Sequence, residues 1–279
     1  MSADDVQAVA SAVARSKRYT VVAPDTVRRL ARKALVSSQG NVPDAVKRTK
    51  RGLHEIYGAY LPGSAPNYRS MLRRLRPAAE SGDAEQMEAA LDSAMRVHAS
   101  TRERLDELSL FYREVFRRVP QPTVIADLAC GLNPLSIPWM GLDSSVTYLA
   151  SDIDTEQARF LGEALTLLGV EHRSEVLDLV LEPELAPADL TLLLKTVPCL
   201  ERQRTGVGWE LLERVPSRWL VVTFPTKSLG QRSKGMFQTH SSAFDAYAAQ
   251  RSWRVEQFEL SNELVYVVDK DPDGEPAGS

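Results

Sequence analysis

Up to about residue 120 the apolar positions recur at three- and four-residue spacing. Val27-Leu30-Ala31-Ala34-Leu35, Leu53-Ile56-Tyr57-Tyr60 and Leu105-Leu108-Phe111-Tyr112-Val115-Phe116 are the clearest runs, and such spacing places each set on one helix face. Breaks fall at Ala23-Pro24-Asp25, Asn41-Val42-Pro43-Asp44, Leu61-Pro62-Gly63-Ser64 and Ser81-Gly82-Asp83, where turn and capping residues cluster. From residue 121 the pattern changes to short runs rich in Val, Ile, Leu and Thr. TVIADL (123–128), VTYLASDI (146–153), SEVLDL (174–179), ADLTLLLKT (188–196) and RWLVVTFPT (218–226) predict buried parallel strands. Helical stretches are expected near 154–168, 200–214 and 240–252, and WRVEQFEL (253–260) and ELVYVVD (263–269) form a hairpin through Ser261-Asn262. Strand and helix in alternation predict a doubly wound α/β sheet of seven strands, closed by that antiparallel hairpin. The expected organisation is an all-α part (1–120), an α/β part (121–270) and a disordered tail (271–279).

Other bulk properties narrow the class. No apolar run approaches the ~20 residues of a membrane span, and MSADDVQAVASAVARSKRY lacks a signal-peptide core, so a cytoplasmic protein is expected. Cys130 and Cys199 make no disulfide framework, and His54, His98, His172 and His240 lack metal-ligand spacing; no metal is expected. Net charge is −3, but residues 1–78 hold 15 Lys/Arg against 5 Asp/Glu, while residues 121–279 hold 13 against 23. A basic helical part on an acidic body suits a polyanionic partner, and equally a solvated helical surface.

The chemistry-bearing residues follow the strands. Asp127-Leu128-Ala129-Cys130-Gly131-Leu132-Asn133-Pro134 is a small-residue turn after the first strand, where a nucleotide-like ligand approaches the backbone. Its glycines are too few for a pyrophosphate cradle, whereas S-adenosylmethionine, which has no phosphate, needs only a looser turn. Asp152, ending the second strand, is placed to accept the ribose hydroxyls, with Asp154 as a cap for the next helix. Asp178 and Leu179 are placed to take the adenine amino group and ring. Lys195 closes the fourth strand, either holding a base or phosphate or snorkelling to the rim. Cys199 reads as a covalent nucleophile of the cytosine-C5 type or as a small buried residue. Lys47, Arg48, Lys50 and Arg51, with Lys227, Arg232 and Lys234 of a long Gly-containing loop, suit contact with an RNA backbone.

Longer strings carry a resemblance. VPDAVKRTKRGLHEIYGAYLP (42–62), STRERL (100–105), DLACGLNPL (127–135), LLLKTVPCLE (192–201) and VVTFPTKSLGQRSKGMFQ (221–238) closely resemble the aminoglycoside-resistance 16S rRNA guanine-N7 methyltransferases, over about residues 15–268. The likeness is strongest to the sisomicin–gentamicin and kanamycin–gentamicin resistance enzymes of antibiotic producers. It implies a Rossmann-like class I methyltransferase fold. It also implies S-adenosylmethionine as methyl donor, with S-adenosylhomocysteine as product, and the 30S subunit as substrate, docked partly by the helical N-terminal part. The expected target is N7 of the decoding-site guanine, and the expected consequence is resistance to kanamycin- and gentamicin-type drugs. Cofactor contacts implied on matching positions are Tyr60, His98, Ala99, Ser100, Arg104, Ala129, Asp152, Asp178, Leu179, Leu194 and Gln203. Arg104 is expected to pair with the methionine carboxylate, and the enzyme to act as a monomer. Guanine N7 bears an unprotonated lone pair, so no general base is expected. Two other readings stay open: a small-molecule methyltransferase with a helical lid, and a non-catalytic ribosome-binding protein.

Overall fold

The computed structural model describes residues 2–61, 63, 65–226 and 234–274. Seven helices precede the first strand among them: α1 (Ala3–Ala14), α2 (Pro24–Ser37), α3 (Val42–Ile56), α4 (Tyr68–Ser81), α5 (Ala84–Met95), α6 (Ala99–Arg104) and α7 (Leu108–Phe116). Their ends are set by local chemistry, at the expected breaks for Asn41 and Asp83 and just beyond one for Asn67. Asn41, Asn67 and Asp83 each accept a backbone N–H of the first turn that follows them. Pro24 opens α2, where its missing N–H is harmless. Gly82 ends α4 at φ +66°.

These helices bury their apolar faces in two different places. Helices α1–α3 enclose a core of their own around Val9, Val13, Ala31, Leu35, Ala45 and Leu53. Helices α4, α5 and α7 instead place Leu75, Leu91, Met95, Phe111 and Val115 against Ile125, Tyr148, Leu190 and Val265 of the sheet. Helical periodicity shows which face is buried but not what buries it.

The sheet is built from β1 (Val124–Leu128), β2 (Thr147–Asp152), β3 (Glu171–Val176), β4 (Leu190–Leu194), β5 (Trp219–Pro225), β6 (Arg254–Glu259) and β7 (Glu263–Asp269). Its order is β3-β2-β1-β4-β5-β7-β6, with β7 antiparallel to both β5 and β6. Helix α8 (Thr155–Leu167) shares the face of α4–α7, while α9 (Thr196–Glu201), α10 (Val207–Arg214) and α11 (Lys234–Ala249) cover the other. The seven-stranded doubly wound sheet and the closing hairpin are as expected. Strand order reverses between β1 and β4, which opens a crevice at the carboxyl ends of the strands.

Three boundaries differ from the sequence reading. The third strand lies at 171–176 rather than 174–179, and it is a half-exposed edge strand rather than a buried one. Asp178 accepts the N–H of Val180 and bends the chain into a short 3₁₀ turn, which removes 177–179 from the strand. The expected helix over 200–214 is two helices, parted at Gly206 (φ +91°), where the Glu201 carboxylate accepts the amides of Gly206 and Gly208. The last helix runs over 234–249 instead of 240–252. Within the tail, the Gly274 carbonyl accepts from Arg218, and residues 275–279 lie outside the described residues. Among the described residues no helix is long and apolar enough to cross a membrane.

The α1–α3 bundle is tied to the sheet through Asp154. This wholly buried carboxylate accepts the amides of Glu156 and Gln157 on Oδ1, capping α8 as expected, and the Tyr57 hydroxyl on Oδ2 at 2.6 Å. Tyr68 approaches the same oxygen at 3.3 Å, and Ala23 donates its N–H to the Ile153 carbonyl. Asp154→Ala removes a cap, leaves the buried Tyr57 hydroxyl unpaired and leaves Tyr68 only Gln157 Oε1 at 3.4 Å. It is expected to lower stability by about 2–4 kcal/mol and to speed hydrogen exchange in α1–α3. A loss below about 1 kcal/mol in urea unfolding would show that the bundle is held elsewhere.

Asp127, in the middle of β1, has no exposure, and its Oδ2 accepts from Asn133 Nδ2 and the Tyr148 hydroxyl. Among the described residues its Oδ1 has no partner, and burial pushes its pKa up to about 7. The folded protein therefore favours the protonated acid, so stability from this group is complete below about pH 3.9 and is lost as pH rises through 7. Asp127→Asn, which imitates the neutral acid, is expected to gain on the wild type between pH 4 and 7 by up to about 4 kcal/mol. Denaturant unfolding at intervals across that range checks it. Parallel stability curves for the two proteins would refute the assignment.

Candidate active site

The crevice deepens into a cavity at the carboxyl ends of the strands, where open α/β sheets bind their ligands. It is built from the ends of β1, β2 and β4, the 3₁₀ turn after β3, the start of α9, and α2, α3 and α6 from the helical half. Ten of the eleven expected cofactor residues line it: Tyr60, His98, Ser100, Arg104, Ala129, Asp152, Asp178, Leu179, Leu194 and Gln203. Ala99 does not line it and is buried behind the wall. Sequence reasoning missed Arg29, Tyr57, Gln157 and Leu200, which also line it. Arg29 and Tyr57 belong to the helical half, and no local motif marks a residue that reaches a strand's end from another core.

The turn after β1 is held open by backbone geometry. Ala129 and Gly131 both have positive φ (53° and 54°), and Cys130 donates its N–H to the Ser151 carbonyl. A Cβ on Gly131 would lie 2.7 Å from His98 Cε1, so only glycine permits the imidazole to sit against this turn. Asp152 accepts the Gly131 amide on Oδ2 and its neighbour's amide on Oδ1. Those bonds fix the carboxylate at the β2 end, aimed along the cavity wall. Burial raises its pKa despite these amides. Tyr60 and His98 stack with 5° between ring planes and centroids 5.7 Å apart. Burial first, then the charges of Lys195, Arg102 and Arg104, lower the His98 pKa to about 4, so the imidazole is neutral at neutral pH.

Beneath these residues lies a network of opposite charges. Arg104 gives its NH2 to both oxygens of Glu263 at 2.9 and 2.8 Å and its NH1 to Asn133. Lys195 Nζ reaches Glu103 at 2.6 Å and Glu263 at 3.0 Å. Burial opposes the charge on Glu263, but Arg104 and then Lys195 more than offset it, and its pKa lies below the usual carboxylate range. Lys195 also holds a left-handed backbone (φ 60°), with its N–H donated to Thr223 Oγ1. Such a conformation costs about 1–3 kcal/mol away from glycine, and it clusters at functional sites. The sequence had Lys195 either hold a base or phosphate or snorkel to the rim; the structure brings it to the cavity with two carboxylates already on it. Arg104 likewise meets Glu263 where a cofactor carboxylate was expected.

The donor set still suits a ligand rich in acceptors. Arg104 Nε, His98 Nδ1 and Gln157 Nε2 are buried nitrogens of cavity residues with no partner among the described residues. Each unpaired buried polar nitrogen costs about 1–3 kcal/mol, which a carboxylate, ribose or purine would offset. Apolar Leu179 and Leu194 stand ready for a ring, and Asp152 and Asp178 accept hydroxyl or amino donors. The residues present therefore fit S-adenosylmethionine. Cys199 is half-buried in the same wall as a free thiol, and burial raises its pKa. A thiol so held is a poor nucleophile, which disfavours covalent attack on a base.

Beside the cavity, and sharing Ile56 and Gln203 with it, runs a groove lined by Lys33, Arg48, Arg51 and Arg202. Of the basic residues expected to meet RNA, Arg48 and Arg51 line this groove, with Arg48 paired to Asp44. Lys47 is exposed and Lys50 half-buried on the same helix, outside the groove lining. Lys227 and Arg232 lie outside the described residues, and Lys234 opens α11.

Comparison with known proteins bears on this arrangement. A curated protein of Micromonospora echinospora named 16S rRNA (guanine(1405)-N(7))-methyltransferase is 59% identical over 267 residues, covering 96% of this chain and 97% of that protein. One of the same name from Frankia casuarinae is 60% identical, covering 94% and 93%. The crystal structure of the 16S rRNA methyltransferase RmtF in complex with S-adenosyl-L-homocysteine superposes with a TM-score of 0.82 at 33% identity, covering 96% of this chain and 99% of that one. The fold is thus that of the S-adenosylmethionine-dependent rRNA methylases, preceded by its helical extension. Residues 15–267 match the family model described as "Ribosomal RNA methyltransferase (FmrO)", and the chain belongs to that family.

Proposed function

We propose that this enzyme transfers the methyl group of S-adenosylmethionine to N7 of guanine 1405 in the 16S rRNA of the small ribosomal subunit. In a producing or resistant bacterium this modification protects the decoding site against kanamycin- and gentamicin-type aminoglycosides. The observation that carries the reading is the convergence of ten expected cofactor residues on one cavity, with a basic groove alongside. The name carried by full-length relatives at 59–60% identity supplies the target atom.

The bound cofactor supplies an electrophilic methyl on a sulfonium. Held there, it would give its methyl to the N7 lone pair and leave as neutral S-adenosylhomocysteine. No proton leaves N7, and no residue of the cavity has to act as a base. What the chain contributes is alignment, which can supply a large part of the barrier reduction. Asp152 would hold the ribose, Asp178 and Leu179 the adenine, and Arg104 would offer its unpaired Nε to the methionine carboxylate. Lys195 positions the target base or its phosphate, exchanging Glu103, whose side chain is 31% exposed, while keeping the buried Glu263. Arg48 and Arg51, with Lys47 and Lys50 nearby, dock the helical part on rRNA, and the enzyme acts as a monomer in the cytoplasm.

Incubation with labelled S-adenosylmethionine and 30S subunits, followed by primer extension after borohydride and aniline cleavage, is expected to stop at guanine 1405. Label without cleavage would move the methyl to another atom. Binding to 30S is expected to weaken steeply with salt, with a log–log slope near −0.7 to −0.9 per phosphate contacted. A salt-independent reaction would favour a small-molecule substrate.

Two variants test the charge network. Lys195→Ala is expected to cut turnover on 30S by about tenfold or more, the loss of one positioned contact, with little change in cofactor affinity. Equal turnover would remove Lys195 from the reaction. Glu263→Gln leaves two buried cations short of a counter-charge, and is expected to destabilise by about 3–5 kcal/mol in urea unfolding.

A further inference from the structure

The adenine end of the cavity is closed by a residue of the other core. Arg29, on α2, sends Nε to Asp178 Oδ2 at 2.8 Å and NH2 to Gln203 Oε1 at 2.7 Å. One helical turn on, Lys33 Nζ grips the Gln203 carbonyl at 2.6 Å. Arg29 lines the cavity itself, and the Arg29 and Asp178 side chains are only 15% and 5% exposed. This is a partly buried, forked contact, of the kind in which arginine geometry counts and lysine does not substitute.

The fork also fixes polarity. A guanidinium offers donors only, so the Gln203 atom facing it must be the amide oxygen, and Nε2 is left to donate. Its protein contacts, Cys199 O at 3.4 Å and Sγ at 3.9 Å, are long. Asp178 keeps one oxygen on the Val180 amide and the other on Arg29, and each retains a lone pair. Arg29 thus holds an acceptor, Asp178, beside a donor, Gln203 Nε2. Adenine presents the complement: its N6 amino group donates and its N1 accepts. Hypoxanthine and guanine present the reverse, an accepting O6 beside a donating N1.

We propose that Arg29 is the positioning residue that makes the cofactor cavity select adenine, so that cofactor retention depends on the α1–α3 bundle being docked. The proposal rests on the reading of this cavity as the S-adenosylmethionine site. Arg29 acts through Asp178 and Gln203 and touches no reacting atom. Sites that pair buried polar groups with a ligand reject analogues of opposite polarity strongly, because the protein groups are then left unpaired.

The test is calorimetric titration of S-adenosylhomocysteine and of its inosyl analogue into wild type, Arg29→Ala and Arg29→Lys, with thermal unfolding to confirm folding. Wild type is expected to prefer the adenosyl ligand. Arg29→Ala is expected to weaken adenosyl binding about tenfold or more, the scale of one charge-assisted contact, and to flatten the preference. Arg29→Lys restores little of either. On 30S subunits the KM for S-adenosylmethionine rises in Arg29→Ala, while kcat at saturating cofactor stays within about threefold, a split that general loosening of the fold does not produce. A folded Arg29→Ala protein with wild-type affinity and preference overturns the proposal and leaves the cavity reading standing. A wild type that binds no S-adenosylhomocysteine overturns both.

Discussion

Glu263, the first residue of β7, takes both ion-pair partners that lie under the cavity. Arg104 from α6 and Lys195 from the end of β4 meet on its carboxylate, with side-chain exposures of 1%, 7% and 2% for Arg104, Lys195 and Glu263. Burying such charges carries a desolvation penalty of several kcal/mol each, repaid only when geometry and remaining hydrogen bonds are good. Here Arg104 NH2 on both carboxylate oxygens, the Asn133 oxygen and the outer carboxylate of Glu103 complete the arrangement. The consequence is positional. The closing hairpin, the fourth strand and the helix that enters the sheet from the helical half are locked at one point, directly below the cavity.

That lock explains why Lys195 tolerates a left-handed backbone. Its N–H is taken by Thr223 of β5 and its ammonium by carboxylates from α6 and β7, so neighbouring elements over-determine the conformation. It also sets the site's chemistry. Among the described residues Arg104 and Lys195 are paired with carboxylates, His98 is held neutral and burial pushes the Cys199 thiol up, which suits a displacement that moves no proton.

A second set of contacts joins the α1–α3 bundle to the same cavity. Asp154 receives Tyr57 at the floor, and Asp178 and Gln203 receive Arg29 at the rim. Helices α4–α7 have no such independence, because their apolar faces complete the sheet's own core. The helical half is therefore divided between a body that supports the sheet and a bundle that adds Arg29 and Tyr57 to the cavity wall. The basic groove formed by α2, α3 and the segment after α9 lies where the bundle and the catalytic part meet.

Much of this was legible in the sequence. The 3.6-residue period, the breaks at Asn41 and Asp83, and the alternation of apolar runs with helices are local properties, and each fixed an element where it occurs. Asp152 and Asp178 were legible because, in a doubly wound sheet, strand ends and the turns just after them face the crevice whatever surrounds them. The edge position of β3 was not, because a strand's exposure depends on how many neighbours it pairs with, and only the sheet order decides that. Nor was the pairing of Lys195 and Arg104 with Glu263, 68 and 159 residues away in the chain, or the reach of Arg29 across 149 residues to Asp178. Sequence alone determined which elements form and which family the chain resembles, because those rest on short-range chemistry and recurring strings. Tertiary structure alone decided which charges are spent on one another and which remain for a ligand, because electrostatic partners are chosen by proximity in space.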